Sequence, residues 1–298
     1  MIDVSYVVTV YNKGWALPRV WDSLRAQKGD FAREFIFVDD ASTDDSLHIL
    51  RGFAESDARV RILENAVNEG PAIRLNQGAR AAKGLWLHLL DGDDALPPDA
   101  SSWMMRALQD RSAPLIYGRR RVAQIAPVPG DAVAQLVAEP LSFAAARPIT
   151  HIALMVARAV FMAAGGCDER IFIQDQSLPL RLGARIDTML WTDATLAIQP
   201  RERPGELSRN TAQQHHDRFF AAYNVLNTLP EGHESDPVLR RLCASARWKA
   251  VRDGARLPWL SKAFVAYLRS RLGGLPSDAV LAEIAAHLRK QPGIRRPA

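Results

Sequence analysis

Cysteine is scarce: Cys167 and Cys243 are the whole supply in 298 residues, and each stands alone in its neighbourhood. That excludes a disulfide framework and a cysteine-rich zinc site, and it fits a reducing, cytoplasmic setting. Long apolar runs are missing too. The longest, Ile152 to Gly166, carries Arg158 and is short for a bilayer crossing, so no membrane span is expected. The chain enters Val4-Ser5-Tyr6-Val7-Val8-Thr9-Val10 without a basic leader or a small-residue cleavage site, so no signal peptide is read there. Internal repeats and low-complexity tracts are absent. No helix-turn-helix, zinc finger or aromatic-rich RNA motif accompanies the net charge of +5, so nucleic acid is not the expected partner. The positive surplus points to smaller anions (nucleotides, phosphorylated acceptors or lipid headgroups) or to an ordinary solvated surface.

What is present is enough apolar material for one large core or two smaller ones, at 48% hydrophobic residues. Short β-rich runs alternate with helical patterns through the first third. Strands are expected at Val4 to Val10, Glu34 to Val38, Val60 to Leu63, Leu85 to Leu90 and Leu115 to Tyr117. Helices are expected around Leu17 to Leu24, from Ser42 to Phe53 with Ser42 and Asp45 at capping-box spacing, and from Pro71 to Lys83. Repeated β-α-β crossovers imply an α/β fold with a mostly parallel sheet covered on both faces. Ligands of such sheets lie beyond the carboxyl ends of the strands. Tyr11, Asp39 with Asp40, and Asp91 with Asp93 all follow strands, so they should converge on one rim.

Asp91-Gly92-Asp93-Asp94 directly follows the apolar run Leu85 to Leu90. Like charges this close need a cation, water or hydrogen-bond donors, and a divalent ion held there could also bridge the phosphates of a nucleotide. A solvated Asp-Gly turn is the plainer alternative. Asp39 can accept hydrogen bonds from a ribose or a base edge, or serve helix capping. Tyr11 can stack on a base, or be a partly buried strand-end tyrosine.

Taken together, Val10-Tyr11-Asn12, Val38 to Asp44, Asn68-Glu69-Gly70 with Asn76-Gln77-Gly78, and Leu90-Asp91-Gly92-Asp93-Asp94 resemble glycosyltransferase family 2 in order and spacing. The resemblance covers Ile2 to Ala95 most fully and thins out toward Gly183. It implies the A-type glycosyltransferase fold, a Rossmann-like sheet that binds nucleotide-sugars, and inversion at the anomeric centre. Carried over by position, it puts Thr9 and Tyr11 beside the base, Asp39 on the nucleoside, Asp91 near the ribose or metal, and Asp93 as leading ligand of a Mg²⁺ or Mn²⁺ ion. Arg74 is held as a nucleotide candidate. Many members carry their arginine where Leu75 stands here, and one residue along a helix turns a side chain by roughly 100°.

Inversion needs a base for the acceptor hydroxyl. The family's base lies in a Glu-Asp pair downstream of a Gly-Gly-Phe-Asp-Glu-like turn, which corresponds here to Gly165-Gly166-Cys167-Asp168-Glu169 followed by Gln174-Asp175. Gln174 replaces the glutamate and Asp175 remains as the expected base, unless it only caps the following helix. The resemblance implies a metal-dependent transferase moving one sugar from a nucleoside-diphosphate-sugar, with uridine diphosphate favoured, to a saccharide or lipid-linked acceptor, in polysaccharide or glycoconjugate synthesis. One sugar per encounter is expected, because the Gln-x-x-Arg-Trp motif and membrane helices of the processive branch are missing. The alternative is a catalytically impaired nucleotide-sugar-binding or scaffold protein. An aspartyl phosphatase is disfavoured, because Asp91-Gly92-Asp93 lies at the fourth expected strand and not the first.

The expected organisation is a nucleotide-sugar-binding half at 1–118, an acceptor-binding half at 119–200 and a C-terminal helical extension at 201–298. Pro200 to Gln214, with Pro204-Gly205, reads as a polar loop, and His215-His216 as a solvent-exposed pair. Arg119-Arg120-Arg121 is either a solvated charge run or a hold on a phosphorylated or lipid-linked acceptor. In the extension, Trp259, Leu260, Ala263, Phe264, Tyr267 and Leu268 form a stripe opposite Lys262, Arg269 and Arg271. This basic amphipathic segment, with Arg289, Lys290, Arg295 and Arg296 near its end, either packs on the main domain or makes peripheral contact with the inner face of an anionic membrane.

Overall fold

The computed structural model describes residues 1–147, 149–201, 210–254 and 258–295. Its strands are β1 (Val4–Val10), β2 (Arg33–Asp39), β3 (Val60–Glu64), β4 (Trp86–Asp91), β5 (Leu115–Val122), β6 (Gln135–Val137), β7 (Leu154–Ala157) and β8 (Met189–Gln199). They form one sheet in the order β3-β2-β1-β4-β7-β5-β8-β6. The four from β3 to β4 are mutually parallel, and β7 runs antiparallel to both β4 and β5. β8 is parallel to β5, and β6 is antiparallel to β8.

The helices are α1 (Leu17–Arg25), α2 (Ser46–Ser56), α3 (Pro71–Ala81), α4 (Ala100–Arg111), α5 (Pro140–Ala146), α6 (Arg158–Ala163), α7 (Gln174–Gly183), α8 (Thr211–Leu226), α9 (Asp236–Gly254), α10 (Lys262–Arg271) and α11 (Asp278–Arg289). Every residue of β1 is buried, as a central strand covered on both faces requires. Its side chains alternate between two cores. Val7 joins Ile36, Val38 and Leu89 on one face, while Tyr6 and Val8 join Phe35 and Phe37 on the other. The first core continues into Phe219, Leu239, Cys243 and Leu281, so the C-terminal helices complete the cover of that face. Gly78 lets α3 lie close to the sheet: a Cβ there would stand 2.3 Å from Val7 Cγ1.

Three local expectations change, at α2, at the 200–214 loop and at His216. α2 begins at Ser46 and the Ser42/Asp45 capping box does not form, because Ser42 Oγ accepts a hydrogen bond from Asn12 N and Ala41 takes a left-handed φ of 61°. The loop expected at 200–214 is shorter, since α8 starts at Thr211 with Asn210 Oδ1 accepting from Gln213 N. Pro204-Gly205 lies outside the described residues. His216 is buried, with Nδ1 2.7 Å from Asp217 Oδ1. In the stripe around α10, Trp259, Phe264 and Tyr267 gather round Trp248 on α9, while Leu260 and Leu268 stay exposed. Arg295 turns inward, donating to Asn68 Oδ1 and lying over the Phe172 ring, and Arg296 lies outside the described residues.

Candidate active site

Strand register brings the rim together: Val10 pairs with Asp39 and Thr9 with Asp91. The turns after β1 and β2 then lock to each other. Asn12, itself left-handed at φ 53°, accepts from Thr43 N at 2.8 Å, and its own N donates to Ser42 Oγ at 3.0 Å. Asp39 Oδ2 accepts from Ser42 N, whereas Oδ1 is buried with no partner among the described residues. A buried carboxylate oxygen left open at a strand end is an acceptor waiting for a donor. Tyr11 beside it is 42% exposed, which leaves its ring free to stack.

Asp40 serves the loop and not the rim. Its carboxylate accepts from Glu69 N, Gly70 N and Arg74 Nε. Arg74 is buried, and its remaining nitrogens reach Glu69, Gln77 and the Val67 carbonyl. Its guanidinium thus holds the 67–70 loop in shape.

The centre of the site is Asp91, whose Oδ1 accepts from Thr9 Oγ1 and Gln174 Nε2, each at 3.2 Å. His151 Nε2 lies 3.3 Å from the same oxygen, at ion-pair distance but without hydrogen-bond alignment. The other ring nitrogen, Nδ1, is 2.6 Å from Asp175 Oδ1, which also accepts from the His151 backbone N at 2.8 Å. Burial alone would depress the His151 imidazole, yet the two carboxylates raise it to about 10. Burial works against charge on Asp91 as well, and His151 and Lys13 nevertheless hold it below the usual carboxylate range. A protonated His151 therefore bridges Asp91 and Asp175. Both hydrogen bonds to Asp175 fall on Oδ1, and among the described residues none is made to Oδ2.

Lys13 Nζ lies 2.5 Å from Asp93 Oδ2. Asp94 is buried, its Oδ1 has no partner, and burial together with the charges of Asp91 and Asp93 pushes its carboxyl well above the ordinary range. Burial and its like-charged neighbours thus favour the neutral form of Asp94, while Asp93 already attracts the Lys13 ammonium. Among the described residues no group of three or more His, Cys, Asp or Glu side chains is placed to hold a metal ion. Two carboxylates with open positions suit Mg²⁺ or Mn²⁺, which keep waters and substrate phosphates as ligands. Asp91 and Asp93 therefore fit the expected ion.

A cavity of about 320 Å³ opens beside Asp175. Arg120, Arg147 and Arg218 enter it above an apolar floor that includes Ile149, Leu180 and Leu242. Of the Arg119 to Arg121 run, Arg119 pairs with Asp193, Arg121 is exposed, and Arg120 alone reaches this cavity. Sequence reading missed His151, Lys13 and Arg218. His151 sits at the head of an apolar run, and Lys13 and Arg218 belong to no motif, so only Lys13, two residues after Tyr11, had a positional signal.

Residues 5–150 match the family model described as glycosyl transferase family 2. Succinoglycan biosynthesis protein ExoO of Rhizobium meliloti is 38% identical over 97 residues, covering 33% of this chain and 27% of that protein. The chain thus matches little more than a quarter of that relative's length. Among solved structures, S. aureus TarS 1–349 in complex with UDP-GlcNAc superimposes with a TM-score of 0.68 at 15% identity, covering 100% of this chain and 99% of that one. Mannosyltransferase PcManGT of Pyrobaculum calidifontis, in complex with GDP-Man and Mn²⁺, gives 0.59 at 18% identity, covering 96% of this chain and 86% of that one. The fold is the A-type glycosyltransferase fold, and through residues 5–150 the chain belongs to glycosyl transferase family 2.

Proposed function

We propose that the protein is a metal-dependent, inverting glycosyltransferase that moves one sugar from a nucleoside-diphosphate-sugar to an acceptor hydroxyl in polysaccharide or glycoconjugate synthesis. The observation that carries this is the single imidazole joining Asp91 to Asp175, because it ties the donor rim to a carboxylate beside an open cavity. In this reading residues 1–118 bind the donor, 119–200 supply the acceptor half, and the helices after 201 back the acceptor side. Tyr11 stacks on the base and Thr9 borders it, the open Asp39 Oδ1 accepts from the nucleoside, and Asp91 faces the ribose and diphosphate. Arg74 acts through the 67–70 loop. UDP is the favoured carrier, and UDP-GlcNAc bound to TarS and GDP-Man bound to PcManGT are both chemically compatible with such a rim.

Asp91 and Asp93 would hold Mg²⁺ or Mn²⁺, which, when bound, stabilises negative charge growing on the diphosphate. Asp175 Oδ2 takes the acceptor proton as that hydroxyl oxygen bonds to the anomeric carbon. The bond from that carbon to the diphosphate oxygen breaks, and its electron pair leaves with the diphosphate. His151 holds Asp175 in place through Oδ1 and leaves Oδ2 toward the cavity. Gln174 suits its place as a donor to Asp91, where a glutamate would set carboxylate against carboxylate. That argues against an impaired site.

Free, buried Cys167 and Cys243 agree with a cytoplasmic setting. Among the described residues no helix is long and apolar enough to cross a membrane. Peripheral membrane contact would fall on α10, where Val265, Leu268 and Leu272 are exposed near Arg269 and Arg271. Calorimetric titration with UDP, GDP, dTDP and CDP, with Mn²⁺ and then with chelator, tests the main reading. One nucleotide should bind only with metal, and Asp93→Ala should abolish that binding. Binding of none of the four would remove the transferase reading.

A further inference from the structure

Arg218 projects from α8 into the cavity beside Asp175 and is half-buried. Among the described residues no carboxylate pairs with it, and burial pushes its guanidinium below the ordinary range. Its charged neighbour on α9 is Lys249, a like charge. Arg120 reaches the same cavity from β5, and Arg147 does so from the end of α5, stacked 4.3 Å over the Phe143 ring. Asp175, the carboxylate on this wall, is already paired with His151. Arg120 acts on Asp91 and Asp94 and Arg147 on Asp193, whereas a partly desolvated cation such as Arg218, with no carboxylate of its own, is unfavourable unless a ligand supplies one. One guanidinium fork satisfies one carboxylate, whereas a tetrahedral phosphate offers oxygens to donors arriving from several directions.

We propose that this cavity is the acceptor subsite for a saccharide bearing a phosphate ester, with Arg218 holding the phosphate while a hydroxyl of the same molecule reaches Asp175. The assignment rests on the transferase reading and names its acceptor class. Arg120 and Arg147 steer the phosphate from the side of the sheet, and the apolar floor excludes water around it.

Calorimetric titration of glycerol 3-phosphate into the full chain, first alone and then saturated with the nucleotide and Mn²⁺ that bind best, tests this. Glycerol 3-phosphate should bind in both cases, glycerol and glucuronate should bind at least about tenfold more weakly, and Arg218→Gln should cost about tenfold or more. Arg218→Lys, which keeps the charge, should lose less, and both variants should bind nucleotide as wild type does. Equal binding by wild type and Arg218→Gln, or glucuronate binding as tight as the phosphate, would overturn the proposal. Weakened nucleotide binding in Arg218→Gln would also overturn it, by moving Arg218 to the donor. Flotation with phosphatidylglycerol vesicles separates the two sources of phosphate: flotation lost in Arg218→Gln puts the phosphate on a lipid, and flotation unchanged by that substitution puts it on a soluble ester. If no nucleotide binds but glycerol 3-phosphate does, the transferase reading fails while the phosphate site stands.

Discussion

Nδ1 of His151 lies 2.6 Å from Oδ1 of Asp175, and through the other face of the same ring the proton acceptor of the proposed reaction is linked to Asp91. Removing the ring leaves two carboxylates, 30% and 22% exposed at their side chains, without their shared counter-charge. His151→Asn should therefore destabilise the protein by about 3 kcal/mol, the lower end of what breaking a buried ion pair costs. Urea unfolding measures this, and an unchanged midpoint would mean that the ring carries no charge. Transfer should fall more than nucleotide affinity does, because Asp175 loses its fixed orientation.

Gln174→Glu tests whether the amide is a defect or a fit. It replaces the donor to Asp91 Oδ1 by a carboxylate, so turnover should not rise and stability near neutral pH should drop by about 1–3 kcal/mol. Faster transfer by the variant would revive the impaired-site alternative.

Arg74→Ala should act as a folding mutation. It leaves Asp40 buried with two backbone donors but no counter-charge, a loss of about 3–5 kcal/mol. Arg74→Lys should rescue little, since an ammonium cannot span Asp40, Glu69 and the Val67 carbonyl together. Thermal melting gives the stability change, and nucleotide titration of the folded fraction should show a much smaller effect. A large loss of affinity with normal melting would place Arg74 on the nucleotide.

His88 supplies a pH dependence away from the site. It is fully buried against Tyr6, and burial lowers its pKa to about 3. The unfolded chain, with an ordinary histidine near 6.5, binds the proton first. The stabilisation is therefore fully present above about pH 6.5 and is lost toward about pH 3, at up to about 1.4 kcal/mol per pH unit for this one proton. Comparing wild type with His88→Phe by denaturant unfolding across that range should show a shallower slope in the variant. Equal slopes would mean that His88 titrates normally in the fold.

The residues by themselves determined the strand–helix alternation through the first third, the mostly parallel sheet and the gathering of Asp39, Asp91 and Asp93 at one rim. Such features are local: buried strands are continuous apolar runs, and parallel strands present their ends together. The start of α2 was not legible, because Ser42 spends its hydroxyl on Asn12, thirty residues away. Arg74 belonged to a recognisable motif, but its inward direction depends on Asp40 arriving from another strand. His151, Lys13 and Arg218 carried little or no local signal, since each takes its meaning from a charge far off in sequence: two aspartates 60 and 24 residues away, Asp93, and a cavity assembled from β5, α5, α7, α8 and α9. Tertiary structure alone decided these, because a desolvated charge is defined by what surrounds it in space and not by its neighbours along the chain.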